Sequence, residues 1–368
     1  MNKKINIVNN ILTLAITFAC LLFCVAFVDK RVTINLGYKI LYYAIGAIIS
    51  IFLFTLFHEL GHKIAGQTNG FKCLFMQVWF FAWVKNGSKT NFKFAFLLGQ
   101  AGKTDLVNTK LNDISKRYKR TIWGALLMSF IPLLLGISCL FVSGLPDFVL
   151  CIWIMLLPIG AYSLLDNFLP MIYDGVKNDG AVLLGLNKKD DDSKVLVNLL
   201  AIQAELYSGK TPSEIDEKLY FDVPQLAEDQ TNYFLLLNAR YNYYLDKEDY
   251  DNAKKTISRL LSLEDYAMKE HMLVAKADAL YNACTFDFDA DKADELLYEL
   301  DKYLNNYNTA TNVRVKIAYI LNVSQETSSI ELFYDKAIRE ANKCQIKGLG
   351  LFETKLVNKL CAGKVDLQ

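Results

Sequence analysis

Long apolar runs without charge restrict the fold of this 368-residue chain more than any other feature of its sequence. The first run covers residues 5–28, about 24 residues, which is enough for a helix to cross the roughly 30 Å hydrocarbon core of a bilayer. A signal peptide is the alternative, because Lys3 and Lys4 precede the run. The run is longer than the apolar core of a signal sequence and no clear small-residue cleavage site follows, so we interpret it as a retained span. Three further spans are expected at about residues 41–57, 121–142 and 148–165.

Composition divides the chain into two expected domains. Apolar residues make up 53% of the sequence but are concentrated before about residue 180, whereas the second half is charged and rich in tyrosine. We predict a membrane-embedded domain over residues 1–186 and a soluble domain over residues 187–368. The net charge of +1 averages these unlike halves and indicates no nucleic-acid partner. The eight cysteines form no CxxC pair and are interpreted as unpaired thiols.

Basic residues before the third span indicate the orientation of the chain in the membrane. They are Lys103, Lys110, Lys116, Arg117, Lys119 and Arg120. The positive-inside rule places this loop in the cytoplasm. With four spans, both termini then lie in the cytoplasm as well, which agrees with the lysines that precede the first span. We therefore expect a multi-pass protein of the cell membrane, in contact with the lipid bilayer.

The segment between the second and third spans is strand-prone. Residues 71–84 are mostly aromatic and β-branched or apolar, Asn86 and Gly87 form a strong turn signal, and residues 91–98 could return as a partner strand. This pattern predicts a small hairpin associated with the membrane surface. A pair of short interfacial helices is the alternative.

The soluble half is predicted to be all-α, with helices arranged in hairpins. Residues 238–263 have apolar residues at helical spacing, interrupted at residues 246–249. Small residues at Ala253, Ala293 and Ala337 mark comparable second helices, about 40 residues apart. The arrangement resembles tetratricopeptide-type repeats, in which stacked helix pairs leave a concave face for a peptide or protein partner. A helical bundle without repeats is the alternative.

The motif His58-Glu59-Leu60-Gly61-His62 carries the strongest chemical signal. On a helix, the two histidines lie one turn apart on one face and can present two imidazole nitrogens to one zinc ion. Glu59 then stands where a general base can take a proton from water. The motif ends an apolar span, where ionisable groups are costly unless they have a function. The third histidine of the chain, His271, lies in the soluble half and is interpreted as a surface or packing residue.

A catalytic zinc site normally has three protein ligands and an open fourth position, so a third ligand is needed. Carboxylates after the fourth span are the best candidates. They are Asp166, Asp174 and Asp179.

The combination of motifs resembles the site-2 protease family of intramembrane zinc metalloproteases. HELGH closes a membrane helix, and two spans later residues 167–170 (NFLP) precede an Asp-Gly pair. The resemblance covers roughly residues 40–186. It implies a zinc ion held by His58, His62 and the aspartate of the Asp-Gly motif, with Glu59 as the general base. It also implies that Asn167 lies near the active site and supports the substrate or the oxyanion.

The sequence departs from the family in two places. The glycine-proline stretch that many members carry before the third span is present only as residues 99–102 (GQAG), and Asp-Gly occurs twice after Pro170. Asp174 is nearer to that proline, at a distance that resembles many family members. Asp179-Gly180 is followed directly by an apolar run that can pack against the bundle and hold the carboxylate, as a metal ligand requires. We therefore predict Asp179 as the third ligand, with Asp174 next and Asp166 last.

The resulting hypothesis is an enzyme that hydrolyses peptide bonds of membrane-spanning proteins or peptides, with Zn²⁺ as its cofactor. The strand-prone segment could pair with an extended substrate by β-addition, a role that the resemblance also suggests. The alternative is a catalytically inactive membrane-anchored adaptor whose helical domain binds a protein partner. The presence of Glu59 favours the enzyme, because a structural metal site needs no base.

Overall fold

The computed structural model of the chain describes residues 3–86, 89–94, 101–173 and 175–363. The fold is mainly helical, and the chain divides into two compact units. The first unit includes most of the chain up to Lys189. The second begins at Asp190 and also includes the segment Val107–Asn112. The boundary expected after residue 186 lies close to this division.

Four helical stretches of the first unit are long and apolar enough to span a membrane, among the residues that the structure describes. They are Lys4–Asp29, Leu36–Thr68, Ile114–Ser138 and Asp147–Phe168. The corresponding helices, with the one that follows them, are α1 (Lys3–Asp29), α2 (Leu36–Thr68), α3 (Ile114–Met128), α4 (Phe130–Ser138), α5 (Asp147–Ile154), α6 (Leu156–Phe168) and α7 (Asp179–Lys188). Three of the expected spans fall within these stretches, and the third, residues 121–142, begins inside its stretch but extends past the end at Ser138. Helix α2, however, continues past His62 to Thr68, so the HELGH motif lies inside this helix and does not end it.

Helices α2 and α3 cross at a point lined by small residues. A Cβ atom on Gly61 would lie 2.5 Å from the Cα of Ala125 and 2.7 Å from the carbonyl oxygen of Gly124. A Cβ atom on Gly124 would in turn overlap the Cβ of Ala65. Small residues let two apolar helices approach closely where lipid offers no hydrophobic driving force between them. This crossing fixes the helix that carries the histidine motif against α3.

The strand-prone segment forms a four-stranded sheet and not the single hairpin predicted. The strands are β1 (Phe71–Val78), β2 (Phe81–Asn86), β3 (Lys89–Phe94) and β4 (Gly102–Asn108), in the order β3-β2-β1-β4. The expected first strand, residues 71–84, is broken by a tight turn at Trp79, whose φ is +54°, so that its two halves pair antiparallel with Val78 opposite Phe81. The turn predicted at Asn86-Gly87 includes a residue outside the described part, as does the end of the return strand. The helix-pair alternative is wrong for the described residues.

Aromatic contacts hold this sheet against helix α2. The ring of Phe52 meets Trp79 edge-on at 5.6 Å and Phe81 at 6.1 Å between centroids. Strand β1 packs along the same helix. Edge-to-face aromatic pairs add about 0.5–1.5 kcal/mol to the free energy of area burial. The sheet therefore lies beside the half of α2 that carries the histidine motif.

The chain between α6 and α7 is held by the first helix. A two-stranded ladder, β5 (Ile172–Tyr173) and β6 (Val176–Lys177), occupies this connection. Asn6 of α1 donates to the carbonyl of Ile172 and accepts from its amide, each at 2.9 Å. Asn9 donates to the carbonyl of Pro170 at 2.8 Å. These bonds satisfy backbone groups that a membrane interior would leave without partners.

The second unit is built of helices, and most of them pack against the next helix along the chain. They are α8 (Asp191–Ser208), α9 (Lys218–Phe221), α10 (Thr231–Asp246), α11 (Tyr250–Leu261), α12 (Lys269–Asn282), α13 (Ala290–Asn306), α14 (Ala310–Tyr319), α15 (Ile330–Asn342) and α16 (Lys347–Cys361). Ala253, Ala293 and Ala337 lie fully buried in the second helix of the pairs α10/α11, α12/α13 and α14/α15. The spacing noted in the sequence thus corresponds to three helix pairs.

The connection between the two helices of a pair also has a recurring form. A residue with left-handed backbone conformation precedes the second helix, Glu248 with φ of +64° in the first pair and Phe288 with φ of +52° in the second. An aspartate follows it and caps that helix: Asp249 accepts from Asn252 N, and Asp289 accepts from Lys292 N. Such a side chain satisfies an amide that the helix itself leaves unpaired.

Candidate metal centre

Helix α2 presents His58 and His62 on one face, as their spacing requires. The two rings lie 4.8 Å apart between centroids and nearly perpendicular, at 87°. Helix α7 begins at Asp179 and brings this carboxylate to the same place. These three residues form a group that could hold a metal ion, the one such group among the described residues.

The two distances from Asp179 to the histidines match the spacing of ligands around a tetrahedral zinc ion. The Oδ2 atom of Asp179 lies 3.3 Å from Nε2 of His58 and 3.2 Å from Nε2 of His62. Zinc bonds of about 2.0–2.1 Å at the tetrahedral angle place two ligand atoms about 3.3–3.4 Å apart. The Oδ2 atom is also buried without a hydrogen-bond partner in the described part of the chain. The residues present therefore fit a zinc ion in both donor type and spacing.

The charge of Asp179 agrees with such a role. Burial raises the pKa of this carboxyl, but the imidazoles of His62 and His58 outweigh burial and hold its pKa well below the usual value. The side chain is consequently an anion throughout the physiological range. An anionic oxygen beside two imidazole nitrogens is a donor set suited to zinc.

Asn178 and Gly180 fix Asp179 from either side. The Oδ1 atom of Asn178 caps α7 by accepting from Ala181 N at 2.9 Å, and it also accepts from Met171 N at 3.0 Å. Its Nδ2 donates to the carbonyl of Leu169 at 2.7 Å. A Cβ atom on Gly180 would overlap the carbonyl of Phe168, so only glycine permits this approach. The Asp-Gly pair is thus explained by close packing of the start of α7 on the end of α6.

Ser129, at the break between α3 and α4, orients His58. Its hydroxyl donates to the carbonyl of Ala125 at 2.9 Å, and its Oγ lies 3.2 Å from Nδ1 of His58. Because the hydroxyl proton is already donated, Nδ1–H of His58 must be the donor in the second contact. The lone pair then remains on Nε2, which faces Asp179. Such outer hydrogen bonds select the tautomer of metal-binding histidines.

Glu59 lies beside this group and contacts strand β4. Its Oε2 accepts a hydrogen bond from the hydroxyl of Thr104. A Cβ atom on Gly102 would lie 2.6 Å from the methyl of Thr55 and 2.7 Å from Oε1 of Glu59, so glycine is needed where the strand passes. The carboxylate, 7% exposed, borders a cavity of about 220 Å³.

The same cavity collects several of the residues singled out in the sequence. His58, Glu59 and Asn167 all line it, together with Ser129. The amide of Asn167 donates to the carbonyl of Ser163 at 2.8 Å, which holds this side chain at the cavity wall. A small polar cavity next to a carboxylate can receive a peptide group and a water molecule.

Two of the remaining candidates, Asp166 and His271, do not belong to this group. Asp166 accepts a hydrogen bond from Tyr173 at 2.6 Å and is not part of the metal group. Asp174, the second choice for third ligand, lies outside the described residues. His271 stacks on Phe234 in the second unit, 5.8 Å between centroids. It is therefore a packing residue, as its position in the sequence indicated.

Three residues of the site were missed in the sequence. Asn178 could have been found, because an asparagine directly before Asp-Gly and an apolar run is a helix-capping signal. Thr104 and Ser129 gave no signal, since their roles depend on which helix and strand meet. Comparisons with protein-family models, curated proteins and solved structures give no match for this chain.

Proposed function

We propose that this chain is an intramembrane zinc metalloprotease of the site-2 protease type, which hydrolyses peptide bonds of membrane-spanning substrates. The observation that carries the proposal is the placement of one Asp179 oxygen at 3.2 and 3.3 Å from two imidazole nitrogens, with Glu59 on the adjoining cavity. A structural metal site would need no such carboxylate. The apolar helices around the site support a substrate that is itself in the membrane.

His58, His62 and Asp179 would hold the zinc ion. Bound there, zinc supplies Lewis-acid chemistry and keeps one coordination position open for water or a substrate oxygen. Ser129 keeps His58 in the tautomer that can bind. Asn178 holds Asp179 at the start of its helix.

Glu59 would act as the proton carrier of the reaction. Its carboxylate takes a proton from the attacking water and later gives a proton to the leaving amine. Thr104 donates to Oε2 of Glu59. The other oxygen of Glu59, Oε1, lies toward Gly102 and would carry the proton. Asn167, which also lines the cavity, would bind a peptide carbonyl of the substrate.

Strand β4 would align the substrate. It is an edge strand of the described sheet, and it carries both residues that touch Glu59. A substrate segment that unwinds and pairs with β4 gains main-chain hydrogen bonds and passes directly beside the carboxylate. The sequence suggested that a strand within residues 71–98 pairs with the substrate. Strand β4, which follows that segment, would take this role instead.

The second unit would be a tetratricopeptide-like domain in the cytoplasm. Its three helix pairs and recurring connections support a repeat origin. Basic residues just before α3 and in its first two turns favour a cytoplasmic position for this end of the helix, and four spans carry the second unit to the same side.

The decisive experiment compares the wild-type chain with Glu59→Gln in membranes and in detergent. Loss of a general base lowers the rate by about 10²–10⁴. We expect Glu59→Gln to keep its bound zinc, to lose cleavage by at least a hundredfold, and to let membrane-anchored fragments accumulate in the membrane proteome. Glu295→Gln, at an exposed glutamate of α13, is the matched control. Equal fragment patterns for Glu59→Gln and wild type would favour the inactive adaptor instead.

A further inference from the structure

The second unit contains a cavity of about 330 Å³, remote in sequence from the histidine motif. Helix α10 lines it with Asn238 and Asn242, which lie one turn apart. Helix α12 lines it with Val274 and Asp278, and the N-terminal ends of α14 and α16 complete the wall. Sites for small ligands commonly have volumes of about 300–1,000 Å³. The cavity has room for a side chain and one or two peptide groups.

A buried group of three charges forms the floor of this cavity. The guanidinium of Arg314, 1% exposed, donates to Asp278 Oδ1 at 3.1 Å and to Glu353 Oε2 at 2.8 Å. It also stacks on the ring of Tyr281 at 4.1 Å. Two carboxylates therefore share one cation. The other charged pair of the wall, Glu340 and Lys343, is balanced within itself at 2.7 Å.

Polar atoms of the wall lack partners in the described residues. Asp278 is only 3% exposed, and its Oδ2 receives no hydrogen bond from them. The Oδ1 atom of Asn238 and the Nη1 atom of Arg314 are buried without a partner, and Asn242 lines the cavity beside Asn238. Buried polar groups are normally satisfied, so unsatisfied ones around a cavity indicate a ligand.

The excess charge decides which kind of ligand fits. An anion would add to the negative charge of the two carboxylates, and a neutral ligand would leave that charge uncompensated. A cation restores neutrality in a site where low polarity strengthens the attraction. The unpaired Oδ1 of Asn238 can accept from a peptide N–H of the same ligand, and the unpaired Nη1 of Arg314 can donate to a peptide carbonyl.

We propose that this cavity binds a primary ammonium group carried by a peptide, with the ammonium at Asp278 and the neighbouring peptide groups at Asn238 and Asn242. The ammonium could be the amino terminus or a lysine side chain, which have the same chemistry. The site shares no residue with the proposed metal centre and does not depend on the function proposed for that centre.

The titration of Asp278 supports this assignment. Burial, the largest effect, and the nearby Glu353 raise the pKa of Asp278 to about 6, against the opposing effect of Arg314. The groups that face it are Arg314 from α14, Glu353 from α16, and Tyr241 and Tyr281 from α10 and α12. At pH 7.5 the carboxyl is ionised in a place that disfavours its charge, and a bound ammonium relieves that cost. Binding is therefore expected to weaken as the pH falls below 6.

The test uses the full chain in detergent and isothermal titration at pH 7.5. Four tripeptides, each with an amidated carboxyl terminus, serve as probes: acetyl-Ala-Ala-Ala, Ala-Ala-Ala with a free amino terminus, acetyl-Ala-Lys-Ala and acetyl-Ala-Glu-Ala. We expect at least one ammonium-bearing probe to bind tenfold or more tightly than the acetylated alanine probe. The stronger of the two ammonium probes identifies the source.

Variants separate binding from folding. Asp278→Asn keeps the hydrogen bond to Arg314 but removes the charge, and it should lower binding at least tenfold. Asn242→Ala should lower binding severalfold without affecting the fold, because its side chain lines the cavity. Asp291→Asn, at an exposed acid of α13, should bind like wild type. Failure of all probes to bind at millimolar concentration, a preference for the glutamate probe, or unchanged binding by both pocket variants would overturn the proposal.

Discussion

Asp179 is the proposed ligand whose removal should affect the proposed metal centre most directly. Its Oδ2 is the atom that both imidazoles approach. We expect Asp179→Ala to lose its zinc on dialysis and to lose cleavage, because two histidines alone do not hold zinc tightly. Asp166→Ala should keep its zinc, since that carboxylate serves Tyr173. The measurement is zinc content per protein by elemental analysis.

Asp174→Ala completes this comparison and should also keep most of its zinc. If Asp179→Ala kept its zinc and Asp174→Ala lost it, Asp174 would be the third ligand. Normal activity in both variants would contradict the model of an aspartate ligand.

Ser129 tests whether orientation of His58 contributes to affinity. In Ser129→Ala the hydrogen bond to Nδ1 of His58 is lost, and the imidazole is free to change tautomer. Removing such an outer partner typically weakens metal affinity by about 10–100-fold. Competition with a chelator of known affinity measures the change. Ser138→Ala, in the same membrane stretch but with its hydroxyl donating to the carbonyl of Leu135, should keep wild-type affinity, and an equal loss there would exclude a specific role.

The titration of Asp278 is expected to make the stability of the second unit depend on pH. Its pKa is raised in the folded state from 3.8 to about 6, so the neutral form favours folding. The stabilising contribution is complete below about pH 4 and is lost as the pH rises through 6. At about 1.4 kcal/mol per pKa unit, the loss is about 3 kcal/mol. Asp278→Asn lacks this titration, so its stability relative to wild type should increase between pH 4 and 7.5 in thermal unfolding followed by circular dichroism. A constant difference across this range would refute the raised pKa.

Among the secondary-structure elements, the crossing of α2 and α3 is expected to be sensitive to added volume. A methyl group on Gly61 meets backbone atoms of α3 that cannot move independently. Overpacking of this kind costs about 1–3 kcal/mol. We expect Gly61→Ala to unfold at a lower temperature and to bind zinc less tightly. Gly37→Ala in the same helix meets only the side chain of Asn35 at 3.2 Å, so it should behave like wild type. Equal melting temperatures for the two variants would show that the crossing is not tight.

The elements differ in how far their sequence predicts them. The four apolar helices and the helical second half could be predicted, because long apolar runs and helical periodicity are local signals. The sheet was mispredicted, since aromatic residues continue through the turn at Trp79 and hide it. Strand β4 was missed because its residues are mostly polar and its role arises from contact with Glu59. The three metal-site residues were proposed from motif and spacing, but their distances depend on the crossing of helices, which no local pattern encodes.

At the scale of the whole molecule, the orientation in the membrane is the main prediction. We expect a cysteine introduced at Ser143, between α4 and α5, to react with a membrane-impermeant reagent in intact cells. Cysteines introduced at Lys116 and at Lys347 should react only after the membrane is opened, because both positions are expected in the cytoplasm. All three positions are exposed. Labelling of the Lys347 position in intact cells would contradict the proposed topology. The wild-type chain, with its free native cysteines, gives the background.

The proposed metal ligands come from two distant parts of the chain, and this would affect when the proposed enzyme becomes active. His58 and His62 lie in the second apolar helix, whereas Asp179 follows the fourth. At roughly 5–20 residues per second, a ribosome needs roughly 6–23 s to pass from His62 to Asp179. During that interval the nascent chain has only two zinc ligands and no complete site. A protease that could attack neighbouring spans in the insertion machinery therefore acquires its third ligand only after its own spans have been made.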